Sequence, residues 1–217
     1  MFCAAIHKEN GPSPASVERE KGVNWEAFIK KLLEMAEPYL AVRGDLRHTQ
    51  AAYEYALFLM RKEGGDRRIV EPAVILHDVG WSRLDPGEIE ASYALRAAGA
   101  KAASLSRMHE LEGAEIARRL LEGLEYDPLL IDPIVLIIGR HDSGKEPGSL
   151  EEKLVKDADR LWRFSKIGYY QAMKRQNMNS RERYEFLVKR MGHWFFTRTA
   201  RALAKKELRE RASEIKR

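Results

Sequence analysis

Six side chains in this sequence are of the types that hold metal ions, and each stands in an ordered context: His48, His77, Asp78, His109, His141 and Asp159. The stretch Ala73–Trp81, AVILHDVGW, places His77 and Asp78 between an apolar run and Gly80. An imidazole beside a carboxylate offers a borderline and a hard donor at a sharp chain reversal. His48 lies one turn into a helical segment, His109 opens HELEGAEIA, and His141 ends the apolar run IVLIIGRH. In KDADRL, Asp159 shares its register with Val155 and Trp162 and so points inward, whereas Asp157 lies at another angle and suits capping or support.

Charged groups on buried faces are costly unless they are paired or bound to metal. Four histidines and two aspartates arriving between the helices of a bundle would therefore form a pocket. Two ions sharing Asp78 would be held by oxygen and nitrogen, a donor mixture that suits Fe, Mn, Ni or Zn, with Mg admissible beside them. Such a pair, about 3.5–4 Å apart, can clamp a phosphoryl group and make hydroxide available at neutral pH. His7 and His193 are not needed for the pocket, and Trp81, Trp162 and Phe164 read as core.

The elements that must position these groups read as helices throughout. Trp25, Phe28, Ile29, Leu32 and Leu33 recur at helical spacing behind Asn24, a suitable cap. Asp45 caps a second helix, carrying His48, that Gly64–Gly65 close. A third opens near Glu71–Pro72 and runs to His77. A short helix is expected over Glu88–Ala98 and a clear amphipathic one over 104–122, which places His109 in its first turns. Asp132–Pro133 repeats the cap-plus-proline opening before IVLIIGRH. Ser149 and Glu152 have capping-box spacing ahead of the KDADRL helix. Ser180 begins another, and a basic helix ends the chain at about 193–215. No segment alternates as a strand should. The expectation is an all-α, single-domain bundle of about six to nine helices over 23–217, preceded by a loose arm over 1–22.

Bulk properties agree with this reading. A hydrophobic share of 44% and a charged share of 33% describe a globular chain rather than a disordered one. The single Cys3 excludes an intrachain disulfide and a cysteine-rich zinc site. No apolar run approaches the roughly 18–20 residues that span a bilayer, so no membrane contact is expected. Without a basic-then-apolar leader, the expected location is cytoplasmic. Residues 197–217 carry eight Lys/Arg against three Glu, which accounts for the whole net charge of +5. That basic helix reads first as a solvated face. Its apolar stripe through Phe195, Ala200, Leu203 and Leu208 suits docking on the body or on a second subunit of a homo-oligomer.

The order His48, His77–Asp78, Asp159 resembles the HD-domain superfamily of metal-dependent phosphohydrolases. ILHDVG and KDADRL look like the family's second and last motifs, and His48 in DLRHTQAA matches its first. The resemblance covers roughly Asp45 to Tyr170. It implies that His48, His77, Asp78 and Asp159 hold a first metal. His109 and His141 would then add a second, with Asp78 bridging. It also implies hydrolysis of a small phosphorylated substrate, a nucleotide before others, by a metal-bound hydroxide. The sequence lacks the Arg-Val that some nucleotidase-like branches place after the first histidine, and the Gly-Tyr-Pro signature of cyclic-dinucleotide phosphodiesterases.

Such chemistry needs cations that follow the phosphate into the transition state. By sequence position these would be Arg140 and Lys145, with Lys156 and Arg160 as second choices. Asp142 or Asp157 would orient a histidine or assist proton transfer. Two other readings stand beside the hydrolase. A minority of the superfamily uses the same ligand order in a di-iron oxygenase. The third reading is a metal-stabilised regulatory or nucleic-acid-binding protein, for which only the basic helix speaks and no base-reading motif does.

Overall fold

The computed structural model describes residues 24–94 and 100–215, and the arm expected over 1–22 lies outside them. Every regular element among the described residues is helical. In chain order they are α1 (Trp25–Ala41), α2 (Leu46–Glu63), α3 (Arg67–Leu76), a single 3-10 turn (Val79–Arg83), α4 (Pro86–Ala94), α5 (Ala100–Gly123), α6 (Pro128–Ile138), α7 (Leu150–Trp162), α8 (Lys166–Gln176), α9 (Ser180–Trp194) and α10 (Arg198–Ile215). The all-α expectation holds, with ten α-helices among the described residues where about six to nine were expected. No described helix is long and apolar enough to cross a membrane.

Several boundaries move, each for a local reason. Asp66, not Glu71–Pro72, opens α3, because its carboxylate accepts from the Arg68 amide. Pro72 therefore sits inside the helix and cannot donate to the Arg68 carbonyl four residues back. The Tyr126 hydroxyl donates to that carbonyl instead, at 2.6 Å. Likewise α6 opens at Pro128 behind Asp127, whose carboxylate accepts from Leu129, so the Asp132–Pro133 pair falls mid-helix. Asp45 holds the cap position of α2, but its carboxylate turns to Arg43 at 3.2 Å and caps nothing. Of the short helix expected over 88–98, α4 accounts for the part to Ala94, and 95–99 lie outside the described residues.

The helix that the periodicity did not reveal is α8. Its sequence KIGYYQAMKRQ has little apolar bias, and it is set by its ends: Ser165 caps it, and Asn177 closes it with φ of 48°. The terminal helix expected over about 193–215 begins only at Arg198. Phe195 is extended, and α9 and α10 are separate helices joined by Phe195–Thr197. That joint is held by Asp157, whose carboxylate accepts from the Phe196 and Thr197 amides and from the Thr197 hydroxyl.

The core follows from the apolar faces. α2 lies against α3 and α7, α6 against α3 and α5, and the 3-10 turn against α5. Leu32, Leu59, Ile75, Ile116, Ile138 and Leu161 are fully buried among them. α10 packs on α9, α7 and α2 through Ala200, Ala204 and Leu208, so its apolar stripe is used by the body.

Candidate metal centre

The six ligand-type side chains are delivered by five pieces of the bundle. His48 is on the first turn of α2, and His77 and Asp78 occupy the link between α3 and the 3-10 turn. His109 comes from the middle of α5 rather than its first turns, because α5 begins at Ala100. His141 follows α6, and Asp159 is on α7. All six are buried, none more than 8% exposed.

Gly80 makes the convergence sterically feasible. A Cβ there would lie 1.9 Å from the His109 carbonyl oxygen and 2.4 Å from the Gly113 amide nitrogen. Only a residue without a side chain lets the 3-10 turn press onto α5 at this point. The contact lays the Trp81 ring on His109, with centroids 4.2 Å apart and planes at 14°.

Asp78 stands between two pairs of imidazoles. Its Oδ2 is 3.3 Å from His48 Nε2 and 3.5 Å from His77 Nε2. Its Oδ1 is 3.7 Å from His109 Nε2 and 3.8 Å from His141 Nε2. Within the pairs the Nε2 atoms are 2.9 Å apart for His48–His77 and 3.3 Å for His109–His141. Asp159 Oδ1 adjoins the first pair, 3.2 Å from His48 and 3.9 Å from His77. Donors bound at about 2.1 Å to one ion lie roughly 3 Å apart when adjacent, so these spacings are those of donors around a common centre.

The surrounding groups prepare the nitrogens for that role. His77 Nδ1 is 2.7 Å from the Val74 carbonyl and His141 Nδ1 is 2.8 Å from the Ile138 carbonyl. A carbonyl only accepts, so both rings carry a proton on Nδ1 and present Nε2 inward. The indole of Trp81 donates to Asp78 Oδ1 at 3.1 Å, and Arg163 grips both oxygens of Asp159 at 2.9 and 2.8 Å. Electrostatically the imidazoles divide. Burial works against charging His48 and His141, but the facing carboxylates of Asp159 and Asp78 outweigh it and lift both to about 9. Burial, joined by His141, takes His109 down to about 4. Burial also lowers His77. Asp78 and Asp159 stay well below the usual carboxylate range despite burial, held there by histidine and arginine neighbours.

The loop that carries His141 is tied down on both sides. Glu110 is buried on α5 and accepts from the Asp142 and Ser143 amides, each at 2.8 Å. Lys156 is buried on α7 and donates to the carbonyls of Arg140, His141 and Gly144. Lys156 therefore holds the loop and does not face the cavity. Arg140 pairs with Glu152 at 3.0 Å, Arg160 donates to the Trp194 carbonyl, and Lys145 is exposed on the loop. None of the four cations expected from sequence lines the cavity of about 310 Å³ beside the centre. Arg43 and Arg163 line it instead, together with Trp81, Trp162 and Asp142. Arg43 lies over the Trp81 ring at 4.1 Å and 3.7 Å from Asp78 Oδ2. Asp157 faces the α9–α10 joint, not the histidines. Of these arrangements only Arg163 had a sequence signal, standing four residues after Asp159 on one helix face.

Two triads of buried donors that share one carboxylate, His48–His77–Asp78 and Asp78–His109–His141, mark an all-α protein with a candidate binuclear metal centre. A family profile described as HD domain matches residues 45–163, more than half of the sequence, and the chain belongs to that family. In fold it is similar to the crystal structure of a protein described as a predicted HD superfamily hydrolase from an uncultured Thermotogales bacterium. The TM-score is 0.60 at 20% identity, over 89% of this chain and 96% of that one. No curated protein matches the sequence. The domain and the histidine–aspartate cluster support a metal-dependent hydrolase that uses divalent metal.

Proposed function

We propose that the chain is a phosphohydrolase that cleaves a small phosphorylated substrate, a nucleotide in the first instance, at a centre of two divalent metal ions. The observation that carries this reading is Asp78, with one carboxylate oxygen toward His48 and His77 and the other toward His109 and His141. His48, His77, Asp78 and Asp159 would hold one ion, and Asp78, His109 and His141 the other. The ions, when bound, supply Lewis acidity at the phosphoryl group and acidify water.

The protein's own groups have separate tasks. Arg43 faces the cavity beside Asp78, fixed over Trp81, and would follow the charge that develops on the phosphoryl oxygens. Arg163 fixes the carboxylate of Asp159 from the cavity wall. Asp142 Oδ2 lies 3.8 Å from His109 Nε2 and 3.5 Å from the Ser106 hydroxyl. Burial would raise it, but His141 keeps its carboxyl below the ordinary value, so it is ionised and placed to accept the proton of the attacking water. The bond from that water oxygen to phosphorus replaces the bond to the leaving oxygen, which takes up a proton. Aromatic walls at Trp162 and Trp194 suit a base or another planar group and favour a nucleotide.

The test begins with elemental analysis of the purified protein, followed by phosphate release from a panel of phosphoesters and nucleotides in the metals found. Near two ions per chain are expected. Asp78→Ala should keep its helical circular dichroism and lose both metal and turnover. Full turnover in that variant would remove the site from consideration.

A further inference from the structure

The cavity does not end at the metal donors. It continues along α8 and α9, where Arg183 and Arg190 line it. Arg183 is only 2% exposed, and its Nε has no hydrogen-bond partner. Its other nitrogens make only long contacts, 3.4 Å to the Gln176 side chain and 3.4 Å to the Arg163 carbonyl. Burial, joined by the like charges of Arg163 and Arg190 and opposed by Tyr169, brings it down to about 10. The Phe186 ring at 5.1 Å gives partial compensation but carries no charge.

The same chain shows how a buried arginine is treated when its role is structural. Arg211 is 3% exposed and meets Glu207, Glu210 and Glu214 at 3.9, 3.3 and 3.4 Å. Arg163 has Asp159. No carboxylate among the described residues plays that part for Arg183, although a buried cation without a counter-charge is strongly disfavoured. Arg190 repeats the pattern nearer the surface. It is stacked on Phe186 at 3.5 Å and near Trp194 at 5.6 Å, with burial as the influence that lowers it and no acid beside it among the described residues. Two guanidinium forks on one wall of a cavity, without acidic partners among the described residues, are matched to a planar or tetrahedral oxyanion from outside.

We infer that Arg183 and Arg190 form a second anion subsite in the cavity, and that the substrate carries a non-reacting phosphate or carboxylate besides the phosphoryl group at the metal centre. The subsite rests on the surroundings of Arg183 alone. Its pairing with a reacting phosphoryl group rests on the hydrolase reading.

The two parts are tested separately. Inorganic phosphate is titrated calorimetrically, at low salt, into Asp78→Ala protein, which lacks the shared metal donor, after its fold is checked by circular dichroism. One phosphate per chain should bind. Adding Arg190→Gln, or Arg183→Lys where the buried site tolerates it, should weaken binding about tenfold or more, as loss of a charge-assisted contact does. No binding to Asp78→Ala, or binding indifferent to Arg190→Gln, overturns the subsite. With the wild-type holoenzyme, monophosphates are then compared with matched compounds that carry a second phosphate or carboxylate. The second anion should lower KM, and Arg190→Gln should abolish the advantage while leaving the monophosphates unchanged. A panel in which no compound gains from its second anion overturns the substrate class. Should no phosphoester be turned over at all, the hydrolase reading fails and the titration still decides the subsite.

Discussion

Replacing Gly80 by alanine should dismantle the centre from a position that touches no metal donor side chain. The added Cβ would sit 1.9 Å from the His109 carbonyl oxygen, 2.4 Å from the Gly113 amide nitrogen and 2.8 Å from the Gly113 Cα. All three are backbone atoms of a long helix, so they cannot swing aside as a side chain would. To reach an ordinary contact of about 3.2 Å the 3-10 turn must withdraw by roughly 1.3 Å. Asp78 is two residues away on the same turn and moves with it, away from His109 and His141. Overpacking of this kind costs about 1–3 kcal/mol, a fall in Tm of roughly 2–12 °C for a chain of this size. Misplacing a reactive constellation by about 1 Å costs on the order of a hundredfold in rate. Activity and metal content should therefore fall much further than stability does. The control is Gly113→Ala, where an added Cβ finds its nearest atoms at 3.4 Å. That change removes a glycine from the interior of α5 and should be neutral or stabilise by about 0.5–1 kcal/mol, with metal content unchanged. The assay is thermal melting beside elemental analysis of both variants. Wild-type metal content in Gly80→Ala would refute the idea that this backbone crossing positions Asp78.

Two further outcomes follow from contacts remote from the centre. Glu63 on α2 accepts from the Thr199 amide at 2.9 Å, in the first turn of α10, and the Thr199 hydroxyl together with that amide holds its carboxyl below the ordinary 4.5. A folded-state value below the unfolded one gives stability that is complete above about pH 4.5 and is lost as pH falls through the lowered value. Glu63→Ala should thus be slightly less stable than wild type at pH 7, by no more than about 0.5 kcal/mol once solvent screening is allowed for, and the two melting curves should converge as pH falls below 4.5. A gap that persists in acid would show that the carboxylate charge is not what matters. Tyr126→Phe removes the donor that replaces the missing Pro72 amide at the Arg68 carbonyl. It should lower Tm by about 2–4 °C without affecting metal content, and no change in Tm would mean that water serves that carbonyl equally well.

What was legible in the sequence was chemical type and local punctuation. His48, His77, Asp78, His109, His141 and Asp159 stand out because ligand-type residues lie at helix ends or among apolar neighbours, and the structure brings all six into one buried cluster. The cations were not legible. Arg140, Lys145, Lys156 and Arg160 are close in sequence to His141 and Asp159, but closeness in sequence says nothing about which face is covered. On α7, Lys156 faces the loop after α6, and Glu152 one turn earlier faces Arg140 on the same side. Arg43 reaches the cavity from the link between α1 and α2, and Arg183 and Arg190 reach it from α9, which is a tertiary fact. Asp–Pro misled for a related reason. Around α6 the sequence offers the pair twice, at 127–128 and 132–133, and either could open that helix. The first does so, since its carboxylate meets the Leu129 amide. The break before α10 depends on Asp157, some forty residues upstream, and no local pattern encodes it.

The two ends of the cavity belong to different parts of the chain, and this bears on how its specificity is built. Every proposed metal donor lies within 45–163, the region matched to the HD domain. Arg183, Phe186, Arg190 and Trp194 lie beyond it, on α9. The domain can therefore keep its donors fixed while α9 determines what else a substrate must carry. The two parts are nevertheless joined mechanically. Asp157, two residues from Asp159 on α7, holds the Phe196 and Thr197 amides at the end of α9, and Arg183 reaches the Arg163 carbonyl where α7 ends. A substitution that frees the joint, such as Asp157→Ala, leaves the donors in place but lets α9 shift relative to them. It should raise KM for a doubly anionic substrate more than it lowers kcat, whereas a disturbed metal centre would lower kcat first.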